Sequence, residues 1–222
     1  MDSTRARYFY PLNHCKIIHL VRHGQAMHNI AAEKDRNLLL SPHLFDAQLS
    51  PLGWQQASNL RTQVIASGLL KRVDLVITSP LLRTMQTANA VFGGDDQCCT
   101  PSIVALELAR DRNGERPSDK RRSVSECRSL FPNIDFSLME SEDDNLWRAD
   151  ARESEEELGA RGMEFMQWLW TRPEKEIAIV SHGIMLQYML FALGSDCDLS
   201  IQTELCKRFG NCELRTVVIV DK

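Results

Sequence analysis

The stretch Lys16-Ile17-Ile18-His19-Leu20-Val21-Arg22-His23-Gly24-Gln25 decides the fold. Lys16–Val21 is a short apolar run rich in branched side chains, the pattern of a buried strand. Three more such runs follow at Leu75–Thr78, Ile177–Ser181 and Thr216–Val220. Runs that are apolar on both faces suit a mostly parallel sheet covered on two sides. Helical signals lie between them. Ser50-Pro51 predicts a helix with Ser as N-cap and Pro in its first turn, and puts Ala57, Leu60 and Val64 on one face. Ser79-Pro80 predicts a second in the same way, with Leu81, Met85 and Ala88 facing inward. A third is expected from about Ser154 to Thr171, with Leu158, Phe165, Met166 and Leu169 at helical spacing and Pro173 as its stop. A fourth follows Gly183, through Met185 and Leu186 to about Leu193. Strands alternating with helices predict an α/β fold, a three-layer α/β/α sandwich around a mostly parallel central sheet, in one domain over residues 1–222.

Ligands of such sheets bind beyond the carboxyl ends of the strands. There the first strand delivers Arg22-His23-Gly24, a charged pair followed by a residue that lets the backbone turn toward an anion. Ile177–Ser181 repeats the arrangement with His182-Gly183. Leu75–Thr78 leads into the helix that carries Arg83 in its first turn, and a helix N-terminus beside an arginine is a ready anion site. Two imidazoles and two guanidinium groups on one rim are most economically explained by a bound phosphate.

Composition narrows the partners. The 222 residues carry a formal net charge of −4, so no overall basic field favours nucleic acid. No apolar run approaches the ~20 residues that span a bilayer, and the first residues lack a secretory pattern. The seven cysteines form no CxxC pair, which argues for reduced thiols in a cytoplasmic protein, although Cys206 and Cys212 are near enough in sequence for a surface disulfide. Neither a metal site nor a cofactor is expected, and the expected partner is a small phosphorylated substrate. Residues 110–150 lack a clean period and read as an insertion with a short helix around Val124–Phe131. Arg110–Arg122 holds six basic and three acidic residues, and Glu140–Glu157 nine acidic and two basic. The insertion is either a lid or side wall of a pocket or a solvated excursion. The basic run of Arg112, Arg116, Lys120, Arg121 and Arg122 suggests that the substrate is anionic beyond its reacting phosphate.

With these residues on the page, the chain resembles the histidine phosphatase superfamily, the phosphoglycerate mutase-like family. The matching blocks are Arg22-His23-Gly24 with Asn29; Leu49-Ser50-Pro51-Leu52-Gly53 with Gln56-Ala57; Thr78-Ser79-Pro80-Leu81-Leu82-Arg83 with Gln86-Thr87-Ala88; Glu107; and Ser181-His182-Gly183. Asp119-Lys120-Arg121-Arg122-Ser123 through Phe136 resembles a plant and fungal phosphatase-like subgroup. The resemblance implies that His23 is the nucleophile that becomes phosphohistidine, and that Arg22, Arg83 and His182 hold the phosphoryl oxygens. It further implies that Gly24, Asn29 and Gly183 belong to the phosphate pocket. Glu107 matches the acid that protonates the leaving oxygen; Glu115 and Asp111 are nearby alternatives. His28 is expected to be exposed. Gly183 stands where the acid-phosphatase and phytase branch carries Asp, which places the chain with the mutase-like branch. The Ser and Trp that true mutases carry before the Asn are missing, so hydrolysis of a phosphomonoester is expected ahead of phosphoryl transfer between two positions of a metabolite. A third reading is a phospho-ligand-binding scaffold of weak activity.

Overall fold

A computed structural model of the chain describes residues 11–94, 100–194, 198–205 and 207–220. The four expected strands form with small extensions: β1 (Cys15–Arg22), β2 (Leu75–Thr78), β5 (Glu176–Ser181) and β6 (Leu214–Val220). Two strands were not anticipated, β3 (Ser102–Ala105) and β4 (Ile134–Asp135). The first is only four residues long and the second only two, too short for a period to register. The sheet order is β4-β3-β2-β5-β1-β6. All neighbours are parallel except β6, which runs antiparallel to β1 at the edge.

The helices are α1 (Met27–Lys34), α2 (Pro51–Ala66), α3 (Leu69–Arg72), α4 (Leu82–Phe92), α5 (Val124–Leu130), α6 (Glu155–Thr171), α7 (Gly183–Gly194) and α8 (Leu199–Leu205). They cover both faces of the sheet, and the strand pleat sorts the core. Val21, Val76, Ala178 and Val180 pack with Ala57, Leu60 and Val64 of α2 and Met85 and Phe92 of α4. Ile18, Leu20, Leu75, Ile77, Ile177 and Ile179 pack on the other face with Leu158, Phe165 and Leu169 of α6 and Met185 of α7. Burying a side chain of this size stabilises the fold by about 1.5–3 kcal/mol, so the three layers follow directly from the alternation.

Ser50 caps α2 as the sequence predicts, its Oγ accepting from Gly53 N–H at 3.0 Å. Ser154 caps α6, with Glu157 returning the bond in a capping box. The second helix departs from expectation. It begins at Leu82, not at Pro80, and its first N–H donates to the Asp46 carboxylate at 2.8 Å. Asp46 is fully buried in a left-handed conformation at φ 40° and reaches Arg122 Nε at 3.3 Å. Ser79 is thereby released from capping.

Within residues 110–150, β4 joins the edge of the sheet, and two buried arginines fasten the remainder. Arg110 forms a two-pronged bond to Asp144 at 2.8 and 2.7 Å. Arg121 donates to the carbonyls of Arg122, Ser141, Glu142 and Asp143. Among the described residues no helix is long and apolar enough to cross a membrane. Cys212 is a free thiol; Cys206 lies outside the described residues.

Candidate active site

Because β1, β2, β3 and β5 run parallel, their carboxyl ends share one rim. Arg22 pairs with Ser181 in register, so His23 and His182 leave the sheet at the same height. Their ring centroids lie 5.2 Å apart. Both rings are buried.

His23 is fixed from both sides. Its backbone N–H donates to Ser181 C=O at 3.0 Å, and its own carbonyl accepts from Asn211 Nδ2 at 3.1 Å. In the ring, Nδ1 lies 2.7 Å from Gly24 C=O. A carbonyl only accepts, so Nδ1 carries the proton and Nε2 keeps its lone pair. Burial first, then Arg83 and Arg22, pull the pKa down to about 3. A neutral, oriented imidazole is what nucleophilic attack near neutral pH requires.

His182 Nε2 lies 2.9 Å from Ser79 Oγ, and Nδ1 lies 3.4 Å from Asp111 Oδ2. With the Ser79 hydroxyl donating to Nε2, the proton sits on Nδ1 and faces the carboxylate without making a hydrogen bond to it. His28, expected at the surface, is instead buried, its centroid 5.7 Å from that of His23. Asn29 accepts from Ala26 N–H with its carbonyl oxygen and donates Nδ2 to His28 Nε2 at 3.0 Å. That leaves His28 Nδ1 as a buried donor with no protein partner. Burial and the Arg83 charge hold both His28 and His182 well below the ordinary histidine range.

Of these groups, His23, His28, Asn29 and Asp111 line a cavity of about 550 Å³, and His182 is not among its lining residues. Arg22, His23, Asn29 and Gly183 line it as the sequence predicts, with α7 presenting its amino end. Arg22 donates Nη1 to Phe209 C=O at 2.7 Å, while its buried Nε has no protein partner. Four expectations change, the first being that of His182, which does not line the cavity. Arg83 stands behind the lining, fully buried, donating to Ser118 C=O and to the carboxylates of Asp111 and Asp119 at 3.1 and 3.2 Å. Gly24 gives its N–H to Thr87 Oγ1 at 3.1 Å, not to the cavity. Its lack of a side chain serves packing instead, since a Cβ there would lie 2.7 Å from Gly53 C=O. Glu107 is not brought to the cavity. Its carboxylate is clasped by Arg121 Nε at 2.7 Å and Arg110 Nη1 at 3.2 Å.

The carboxylate at the cavity is Asp111. Burial would raise its pKa, but Arg83, the Arg112 N–H and the neighbouring imidazoles outweigh that and hold it below the usual range. Asp119, on the same guanidinium, is raised by burial and by the Asp111 charge. Arg161 of α6 clamps the segment, donating to the carbonyls of Leu108, Arg110 and Asp111. Of the basic run, only Arg116 lines the cavity. Arg112 and Arg121 bind backbone carbonyls, Arg122 pairs with Asp46, and Lys120 lies 4.8 Å from the Trp147 ring centroid. Arg36, Arg152 and Arg208, which carried no sequence signal, complete the cationic wall. They stand outside every recognisable motif and are gathered only by the tertiary fold. Among the described residues, no cluster of three or more His, Cys, Asp or Glu is placed to hold a metal ion.

Comparison with known proteins gives a family and similar folds. Residues 18–221 match the family model described as histidine phosphatase superfamily (branch 1). The chain is 48% identical over 237 residues to a phosphoglycerate mutase-like protein of Arabidopsis thaliana, covering 96% of this chain and 88% of that one. In fold it is similar to the ecdysone phosphate phosphatase of Bombix mori (TM-score 0.61, 19% identity, 90% and 88% of the two chains). It is also similar to the alpha-ribazole phosphatase of Shigella flexneri (TM-score 0.58, 21% identity, 90% and 89%).

Proposed function

We propose that this chain, which belongs to the histidine phosphatase superfamily (branch 1), hydrolyses a small phosphomonoester without a metal ion, through a phosphohistidine on His23. The observation that carries this reading is the ring of His23, with Nδ1–H bound to Gly24 C=O and Nε2 free at the wall of a cationic cavity.

In the first step the Nε2 lone pair attacks phosphorus and the bond to the ester oxygen breaks. The ring becomes an imidazolium whose Nδ1–H is already held by a carbonyl. Negative charge on the transferring group meets Arg22, the free Nδ1–H of His28 and the amino end of α7. Such fixed donors are the main source of catalysis in phosphoryl transfer. We assign the proton for the leaving oxygen to Asp111 and not to Glu107. The field of Arg83 keeps Asp111 ionised in the empty site; an arriving phosphate dianion opposes that field and raises the proton affinity of the carboxyl, which takes a proton from solvent as the substrate binds and passes it to the leaving oxygen. In the second step Asp111 takes a proton from water, the oxygen attacks phosphorus, the P–N bond breaks and His23 returns neutral.

The test is a panel of phosphomonoesters assayed for free phosphate with EDTA present. Wild type is expected to turn over and His23→Ala to lose activity by at least about 10³-fold. Labelling by substrate is expected to be acid-labile and base-stable. Full activity in His23→Ala, or none with EDTA, counts against the assignment. The mutase-like name of the Arabidopsis relative favours a second reading, transfer of the phosphoryl group back to another hydroxyl of the same metabolite. Isomerised ester in place of free phosphate is its signature.

A further inference from the structure

One guanidinium serves two buried carboxylates. Arg83 Nη2 donates to Asp111 Oδ2 at 3.1 Å and to Asp119 Oδ1 at 3.2 Å, while Nη1 holds Ser118 C=O. Two acceptors on a single nitrogen stand close enough for like charges to raise each other's proton affinity. Asp119 is buried and fixed in place. Ser118 Oγ donates to its Oδ1 at 3.2 Å, and its backbone N–H donates to Arg116 C=O at 3.0 Å. Its other oxygen, Oδ2, lies 3.3 Å from Arg152 Nη1. Arg152 lines the catalytic cavity, and Asp119 is not among the lining residues.

Asp119 has no part in the two steps above, yet its place is costly. A buried guanidinium is neutralised by one carboxylate, and Asp111 supplies it. A second buried carboxylate on the same group adds a desolvation penalty of its own. What it offers is electrostatic. The acid step needs a proton on Asp111 beside Arg83, whose charge favours the ionised form. Around Asp111 stand Arg83 of α4, Arg22 at the end of β1, and the imidazoles of His23, His28 and His182. Among these cations and neutral rings, Asp119 is the opposing anion. Around Asp119 stand Asp111, Arg83, Arg152 and Arg116. In the empty cavity Arg152 offsets its charge. A phosphate dianion in the cavity draws on Arg152 and leaves two carboxylates to one guanidinium, a pair that does not stay doubly ionised. The repulsion is already visible, since burial and the Asp111 charge raise the pKa of Asp119. It acts on both members alike.

We infer that Asp119 is a positioning residue for the acid step: by sharing Arg83 with Asp111, it makes the pair take up one proton as the ester binds and keeps that proton available to Asp111. The proton comes from solvent, moves to the ester oxygen as the P–O bond breaks, and departs with the alcohol. This rests on the phosphatase reading above.

The experiment follows alcohol release in a single turnover, which reads the first step alone, as a function of pH. The probes are glycerol 3-phosphate, or whichever alkyl ester of the panel is faster, and p-nitrophenyl phosphate. Wild type is expected to keep its alkyl rate to near neutral pH and to lose it above, as Asp111 gives up its proton. Asp119→Asn keeps the shape and removes the charge. Its alkaline limb on the alkyl ester is expected about one pH unit lower, and its alkyl rate at pH 7 about tenfold lower, with the p-nitrophenyl rate changed less than about twofold. Asp119→Glu, which restores the charge, is expected to return the limb toward wild type. Equal losses on both esters, or an unmoved limb, overturns the role of Asp119 and leaves the hydrolase intact. A wild-type limb below about pH 4, the ordinary carboxylate value, overturns it as well and needs no variant to fold. Failure of wild type to release alcohol from any ester overturns the hydrolase. Proton uptake on binding sulfate, a dianion that does not titrate in this range, then still decides the pair. Calorimetry in two buffers is expected to show about one proton more for wild type than for Asp119→Asn, and equal uptake overturns the inference.

Discussion

Glu107 and Asp111 lie four residues apart and meet different arginines. Glu107 is bound to Arg110 and Arg121, which also hold residues 141–144, so its carboxylate ties the 110–150 segment to the sheet. Asp111 meets Arg83, His182 and the cavity. Asp111→Asn is therefore expected to lower kcat by about 10²–10⁴-fold on alkyl phosphates. The loss should be smaller on p-nitrophenyl phosphate, whose leaving oxygen needs no proton. Glu107→Gln is expected to cost about 1–3 kcal/mol of stability and to leave that leaving-group dependence unchanged. Kinetics on both ester types and urea unfolding of both variants separate the roles; a leaving-group dependence that moves with Glu107 reverses them. Arg22, His23 and Gly183 were legible because each stands at a strand end or opens a helix, where local pattern fixes position, whereas Asn29 was legible only through the family resemblance. The choice between Glu107 and Asp111 was not, because acidic and basic residues alternate through this segment without a period. Only contacts with distant arginines decide which carboxylate turns inward.

At the scale of elements, α4 shows how a wrong cap hides a correct helix. Ser79-Pro80 has the form of a helix start, but the Ser79 hydroxyl belongs to His182 and the cap comes from Asp46, 36 positions earlier in sequence. No local signal announces such a cap. Asp46 therefore sets the direction in which α4 presents Arg83. Burial pushes its pKa up to about 6, against the Leu82 N–H and Arg83, which lower it. A carboxyl whose folded pKa is raised contributes stability below its unfolded value near 4, and loses it as pH rises through about 6. Asp46→Asn keeps the acceptor for Leu82 and removes this titration. Its stability relative to wild type is expected to improve between pH 4 and pH 7, by up to about 3 kcal/mol. Urea unfolding of both proteins across that range gives the difference directly, and a constant offset would place the Asp46 pKa near its ordinary value. Asp46→Ala, which abolishes the cap as well as the titration, is expected to be about 1–2 kcal/mol less stable than Asp46→Asn at any pH.

The whole molecule carries a further pH dependence, of opposite sign. His23, His28 and His182 are all buried and held below the ordinary range, that of His23 at about 3. Unfolding frees each to take a proton near pH 6.5. Stability is complete above that value and falls as pH drops toward the folded pKa, by up to about 1.4 kcal/mol per pH unit for each ring. Denaturant midpoints are expected to fall steeply from pH 7 to pH 5, and a flat profile would mean that the rings take up protons as readily in the folded state as in the unfolded one. The three layers were legible in sequence because every long strand alternates between two apolar faces. The route of β6 was not, since an edge strand has no pattern that states its direction. That route has a consequence in time. Phe209 C=O holds Arg22, Asn211 and Cys212 hold the His23 carbonyl, and β6 pairs along β1. Strand β6 is the last of the described strands to leave the ribosome, so Arg22 and His23 gain these contacts only after the strands that flank them have been made. A nascent chain that already displays the Arg22-His23-Gly24 motif does not yet have the contacts that hold it in place.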